Sequence, residues 1–204
     1  MGVDIIFVII ILIISIVIHE VSHGLAAYIL GDSTAKMAGR LTLNPIKHLD
    51  PIGSIIVPFF MALMPGNLIF GWAKPVPYNP YNLRNQRWGE LIVAITGPAS
   101  NLILAIIFGI LIRFAVPLGI ASDAFFAIAS TAVLINVLLA IFNLIPIPPL
   151  DGSKILFSVL PYHLQHIQKT MEQYWLVAIF FLLFFIWPII SPIVFWIYRI
   201  IVGG

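Results

Sequence analysis

Two histidines and a glutamate fall together as His19-Glu20-Val21-Ser22-His23, an HExxH pattern within the stretch IHEVSHGLAAYIL at residues 18 to 30. Positions i and i+4 of a helix share a face, so both imidazoles can reach one metal ion. Glu20, between them, is placed to take a proton from an attacking water. Two neutral nitrogen donors suit zinc, and a catalytic zinc site needs a third protein ligand and an open position. The preceding run, Ile5 to Ile18, contains a single polar residue, Ser15. The motif therefore lies in a candidate membrane helix, where ionisable residues are rare and usually functional. Capping of a helix end, or a bond to another helix, would explain one histidine. It would not explain two at ligand spacing around a glutamate.

The elements that must position this motif follow from composition. Of 204 residues, 61% are hydrophobic and 9% charged, against about 45–50% and about 25% in soluble domains. An all-α polytopic membrane protein is expected, with about four to six transmembrane helices of about 20 residues each. Nucleic-acid binding would need a basic face, and none is present. Cysteine is absent, which excludes disulfides and thiolate metal sites. A cleaved leader is a poor description of residues 1 to 30, because the segment before the apolar run carries Asp4 and no Lys or Arg. A retained helix is expected over Val3 to Leu30.

Further spans are expected at Trp88 to Leu118 and Phe125 to Ile145. The tail, Tyr174 to Val202, contains Pro188 and Pro192 and fits either one kinked crossing or one crossing plus a short second one. Ile52 to Met64 is apolar but too short for a full crossing and suits a re-entrant segment. Arg40 to Leu43 alternates polar and apolar residues like a short strand. The Pro- and Asn-rich stretch 65 to 87 excludes helix over most of its length and favours an extended loop or edge strand. Without repeats or a soluble module, residues 1–204 form one membrane domain, with a catalytic core at about 3–160 and a membrane tail at 172–204.

Lys36, Arg40 and Lys47 follow the first helix, and Lys74, Arg84 and Arg87 precede the second. The positive-inside tendency puts both clusters in the cytoplasm, which requires residues 52 to 64 to dip in and return. His19 and His23 then lie toward the cytoplasmic side, and the third ligand must lie there too. Asp4 and Asp123 fall on the outer side. Glu90 suits the first turn of a helix without a metal. Asp151, in the proline-broken IPIPPLDG at 145 to 152, is costly unless paired or metal-bound. Asp50, beside His48, remains its competitor.

HEVSH in a membrane helix, GWAKPVPYNP at 71 to 80, GPASN at 97 to 101 and NLIPIPPLDG at 143 to 152 resemble, in this order, the site-2 protease family of intramembrane zinc metalloproteases. The resemblance covers about residues 19 to 160. It is to a compact prokaryotic form with neither a PDZ insertion nor an appended regulatory domain. It implies one zinc ion per chain held by His19, His23 and Asp151, with Glu20 as general base. It also implies that Asn143 contacts substrate or stabilises the oxyanion. The implied activity is cleavage of transmembrane segments of other proteins, in a multi-pass protein of the prokaryotic cell membrane. A metal transporter using the same cluster, or an inactive scaffold, is the competing reading. Transport sites usually come with repeat symmetry and would not need Glu20.

Within the resemblance, GWAKPVPYNP is a candidate edge for holding unwound substrate as an added strand. A stiff proline-rich loop closing the site is its equal competitor. His48 is expected to serve structure or gating, and His163 and His166 to be solvated. Gly97, Pro98 and Asn101 are expected to serve helix packing.

Overall fold

The computed structural model describes residues 4–62, 71–161 and 165–203. Helix α1 spans Ile5–Ile29, capped by the Asp4 side chain, which accepts from Ile6 N at 3.2 Å. It ends at Leu30, followed by Gly31 at φ 111°, a left-handed position that glycine takes without Cβ strain. A short helix α2, Thr34–Met37, and a 3₁₀ turn, Pro45–His48, lead to a helical segment made of a π turn, Pro51–Ile56, and α3, Val57–Ala62. Residues 71–79 run extended without helix or strand, and Pro80–Asn82 forms a 3₁₀ turn.

Three long helices follow the logic of the apolar runs. With α1 these are α4, Gln86–Ala115, and α5, Asp123–Asn143, each long and apolar enough to cross a membrane. Asn85 and Ser122 cap them, accepting from Trp88 N and Phe125 N. Next come α6, Asp151–Val159, and α7, Gln165–Gln173. The tail then runs helically without a break from Trp175 to Val202. Its parts are α8, Trp175–Phe181, a π turn, Leu182–Ile186, and α9, Trp187–Val202. The π turn directly precedes Pro188, whose ring nitrogen cannot donate within the helix.

Helix α4 is the hub, packing against α5, α1, α6 and α9. Between α4, α5 and α9 lie Ala105, Ile112, Ala129, Val133, Val137 and Val194, all buried. In hydrocarbon such contacts act by close packing rather than water exclusion, which favours small residues. The outward face of α1 is left to Ile5, Ile6, Ile9, Ile10 and Ile14, all exposed. Arg84 N donates to Leu30 O at 2.9 Å, so the end of α1 adjoins the start of α4. At the far end of α4, Arg113 caps the C-terminus of α9 through Ile200 O and Ile201 O.

One expectation meets a different outcome, and a second is left open. Among the described residues there is no strand: Arg40–Leu43 is irregular with a bend at 41–42, and Arg40 turns inward to reach the extended stretch 71–79, the strap. The segment expected to be re-entrant is helical over 51–62, while Leu63 and Met64, like residues 65–70, lie outside the described residues.

Asp32 is the tie between α1 and the extended strap. It is 0% exposed and accepts from Thr34 N and Oγ1, Asn79 N and Asn82 Nδ2 at 2.6–3.2 Å. Burial alone would raise its pKa, but these bonds hold the carboxyl below its ordinary value. A depressed folded pKa gives stability that is complete above the unfolded value of about 3.9 and is lost as pH falls through the folded one. Asp32→Asn keeps the volume but sets an amide N–H against donors, and is expected to cost about 1–3 kcal/mol. Thermal unfolding in detergent at pH 7 checks this. The Tm should fall in the variant, and less of the wild-type acid sensitivity below pH 4 should remain.

Candidate metal centre

The HExxH turn of α1 faces α4, α5 and the start of α6. His19 and His23 are 6% and 7% exposed, and Asp151 is 6% exposed. Asp151 Oδ2 lies 3.0 Å from each Nε2, and the two Nε2 atoms lie 3.1 Å apart. Three ligand atoms meet within one small volume. Tetrahedral zinc with Zn–N near 2.05 Å would separate its ligands by about 3.3 Å, so only slight expansion is needed.

The donor set itself calls for a cation. His23 Nδ1 donates to Val93 O at 2.7 Å, and a carbonyl can only accept. His19 Nδ1 donates to Asn101 Oδ1 at 2.6 Å. With both rings neutral, as metal ligation requires, both Nε2 atoms point lone pairs at each other and at a carboxylate. Three buried acceptors without a donor are costly, and a divalent cation resolves them.

Sequence-distant Asp151 arrives here because the helix of α5 stops at Asn143 and the proline-broken turn leads straight into α6. Asp151 occupies the first turn of α6, where the helix dipole favours a carboxylate. Gly152 is required behind it, since a Cβ there would collide with Leu144 O and Ile145 O. Lys154 Nζ approaches the other carboxylate oxygen, Oδ1, at 3.8 Å. Asp50 is occupied elsewhere: it caps the 51–56 turn, accepting from Ile52 N and Gly53 N at 3.0 and 2.7 Å. His48 is buried away from the cluster, donating from Nε2 to Thr42 O at 2.8 Å. His163 lies outside the described residues, and His166 belongs to α7.

Glu20 accepts from Val76 N at 2.8 Å and lines a cavity of about 100 Å³ together with the three ligand residues, Asn143 and Lys154. The strap supplies Pro75, Val76 and Tyr78 to the opposite wall. Burial, with the nearby Glu90 and Asp151 carboxylates, raises the Tyr78 phenol well above its ordinary pKa, so it is a donor at neutral pH. The strap is tied along its length. Trp72 N donates to Gly53 O, Lys74 N to His48 O and Asn79 N to Asp32, while Arg40 donates to Lys74 O and Pro75 O. Asn143 donates from Nδ2 to Leu139 O at 2.9 Å and lines the same cavity.

Sequence reasoning placed Asn101 among packing residues, whereas its side chain is a direct partner of His19. An amide at the end of GPASN, inside α4, carries no local signal of that role. Only the meeting of α1 and α4 reveals it.

Comparison with known proteins gives the same direction. The family model described as Peptidase family M50 matches residues 115–186. The chain is 40% identical over 193 residues to the Bacillus subtilis (strain 168) protein named "Putative zinc metalloprotease YwhC", covering 90% of this chain and 81% of that one. It is 32% identical over 139 residues to "Putative zinc metalloprotease Rip2" of Mycolicibacterium smegmatis, covering 68% of this chain and 51% of that one. For the Mycobacterium tuberculosis (strain H37Rv) protein of the same name, identity is 28% over 195 residues, covering 92% and 71%. No solved structure matches the chain. With a buried His-His-Asp cluster beside a glutamate and this likeness over most of both chains, the protein belongs to peptidase family M50, the site-2 protease family, and is a zinc metalloprotease.

Proposed function

We propose that the protein is an intramembrane endopeptidase that cuts transmembrane segments of other membrane proteins, using one zinc ion per chain. The observation that carries this reading is the convergence of His19, His23 and Asp151 beside Glu20, inside a bundle whose long helices are apolar enough to cross a bilayer. When bound, zinc supplies Lewis acidity, lowering the pKa of a water and polarising the scissile carbonyl. Glu20 takes the water's proton and delivers it to the leaving amine. Asn143, which lines the cavity, would offer its second amide hydrogen to the developing oxyanion. The helical tail at 175–202 supplies a fourth crossing.

Lys36, Arg40, Lys74, Arg84 and Lys154 lie on elements at the metal-centre end of the bundle, and Arg113 and Arg199 at the other. This supports a cytoplasmic site by the positive-inside tendency. The cavity is smaller than the roughly 300–1,000 Å³ of small-molecule sites and has room only for water. Substrate entry therefore requires the strap to leave Glu20. Its occupied backbone groups favour a closing strap over a strand-pairing edge.

The test uses purified full-length protein in detergent with a generic transmembrane peptide. Zinc at one equivalent and cleavage that a chelator abolishes are expected. Metal flux in vesicles without cleavage would replace this reading with transport. Asp151→Ala is expected to lose zinc by at least ~10-fold in affinity, while Asp50→Ala should keep it. The reverse pattern would overturn the ligand assignment.

A further inference from the structure

Resting on the metal reading above, the geometry points to a buried amide relay on three helices that fixes which nitrogen of His19 is free to bind metal. His19 Nδ1 meets Asn101 Oδ1 at 2.6 Å, Asn101 Nδ2 meets Asn136 Oδ1 at 2.9 Å, and Asn136 Nδ2 meets Ala132 O and Ser15 Oγ, each at 2.9 Å. All four side chains are buried: Ser15 2%, His19 6%, Asn101 0% and Asn136 1% exposed. At this burial bulk water does not reach them to substitute for a lost partner.

The direction of the relay is dictated at its far end. Ala132 O is a carbonyl and can only accept, so Asn136 must turn its NH₂ toward it. That leaves Asn136 Oδ1 facing Asn101, which must answer with its own NH₂. Asn101 Oδ1 then faces His19 and can only accept. In the neutral form that binds a metal, His19 must therefore carry its proton on Nδ1 and offer the Nε2 lone pair to the metal. His23 reaches the same state in one step, through Val93 O. A backbone carbonyl of α4 thus sets one ligand, and a backbone carbonyl of α5, through two amides, sets the other. Asn101 and Asn136 are positioning residues: neither reaches the metal position, but partners of this kind tune metal affinity by ~10–100-fold.

A double-mutant cycle tests the relay. Asn136→Leu removes the shorter of the two bonds that orient the Asn101 amide, leaving only the 3.4 Å bond from Asn101 Nδ2 to Ser15 O, and is expected to weaken zinc binding by ~10-fold in competition with a chromogenic chelator. Asn101→Asp places a carboxylate against His19, which accepts from Nδ1 whichever way it faces. In that background Asn136→Leu is expected to cost less than ~2-fold, because direction no longer matters. Equal costs in both backgrounds would mean that Asn136 serves packing alone, and the relay would be discarded.

The second readout is the ¹⁵N spectrum of histidine-labelled, zinc-stripped protein, recorded at a pH high enough for the rings to be neutral. His19 should be the Nδ1–H tautomer in the wild type and a mixture in Asn136→Leu; an unchanged tautomer would also overturn the proposal. If Asn136→Leu does not yield monodisperse protein, Asn136→Ala enters the same cycle with the same expectations. Ser15→Ala is expected to change zinc affinity by less than ~2-fold, since Ala132 O still orients Asn136. A wild type that binds no zinc would instead refute the metal reading itself.

Discussion

Glu20→Gln is expected to keep zinc at one equivalent and to lower cleavage of a transmembrane peptide by ~10²–10⁴-fold, the range for loss of a general base. Glu20 is not among the three converging ligand atoms, so the metal set is untouched. Its carboxylate accepts from Val76 N at 2.8 Å, a bond that the amide oxygen of glutamine can keep. The strap should therefore stay in place, and the one property lost is the ability to take a proton. Zinc by elemental analysis and initial cleavage rates on the same preparation decide the matter. Unchanged cleavage would remove Glu20 from the mechanism. Loss of zinc together with cleavage would show that Glu20 holds metal rather than protons.

What was legible in the sequence divides by range. The HExxH spacing is a local, helical relation, so the shared face of His19 and His23 could be read directly. The three long helices were equally legible, because continuous apolar runs need no partner to be recognised. Asp151 stands 132 residues from His19, and charge-derived topology could only narrow the choice to it or Asp50. The fold separates the two by giving Asp50 a helix to cap. Arg40 to Leu43 was misleading for a related reason: two-residue alternation arose from one arginine reaching inward to Lys74 O and Pro75 O, not from a ladder. Asp32 follows α1 with nothing local to mark its role, since two of its four bonds are made to residues about fifty positions away. Asn101 and Asn136 were the least legible, since an amide in an apolar helix fits packing as well as it fits ligand orientation. Their direction depends on a carbonyl in a third helix.

Gly97→Ala tests how tightly α4 is pressed against the ligands. A Cβ at position 97 would overlap His23 Nε2 and lie 2.5 Å from His23 Cε1 and 2.6 Å from His19 Cε1. Carbon–carbon contacts are comfortable only near 3.5–4.0 Å. The imidazoles cannot withdraw, because each Nδ1 is held by a buried acceptor, Val93 O for one and Asn101 Oδ1 for the other. Nor can α4 back away cheaply, since it is the hub against α1 and α5. Intrinsic propensity pulls the other way, as alanine gains about 0.8–1.0 kcal/mol over glycine inside a helix. The variant is therefore expected to fold into a helical, monodisperse protein that has lost zinc affinity by ~100-fold, the upper end for disturbed ligand orientation, with cleavage lost in parallel. Gly109→Ala is the matched control on the same helix. Its Cβ would strike Ile201 at the α4–α9 contact, far from the ligands, so it should lower Tm while zinc affinity stays within ~2-fold. A Gly97→Ala protein with wild-type zinc affinity would show that the ligands have room the packing denies them, and the close approach of α4 would then have no part in shaping the metal centre.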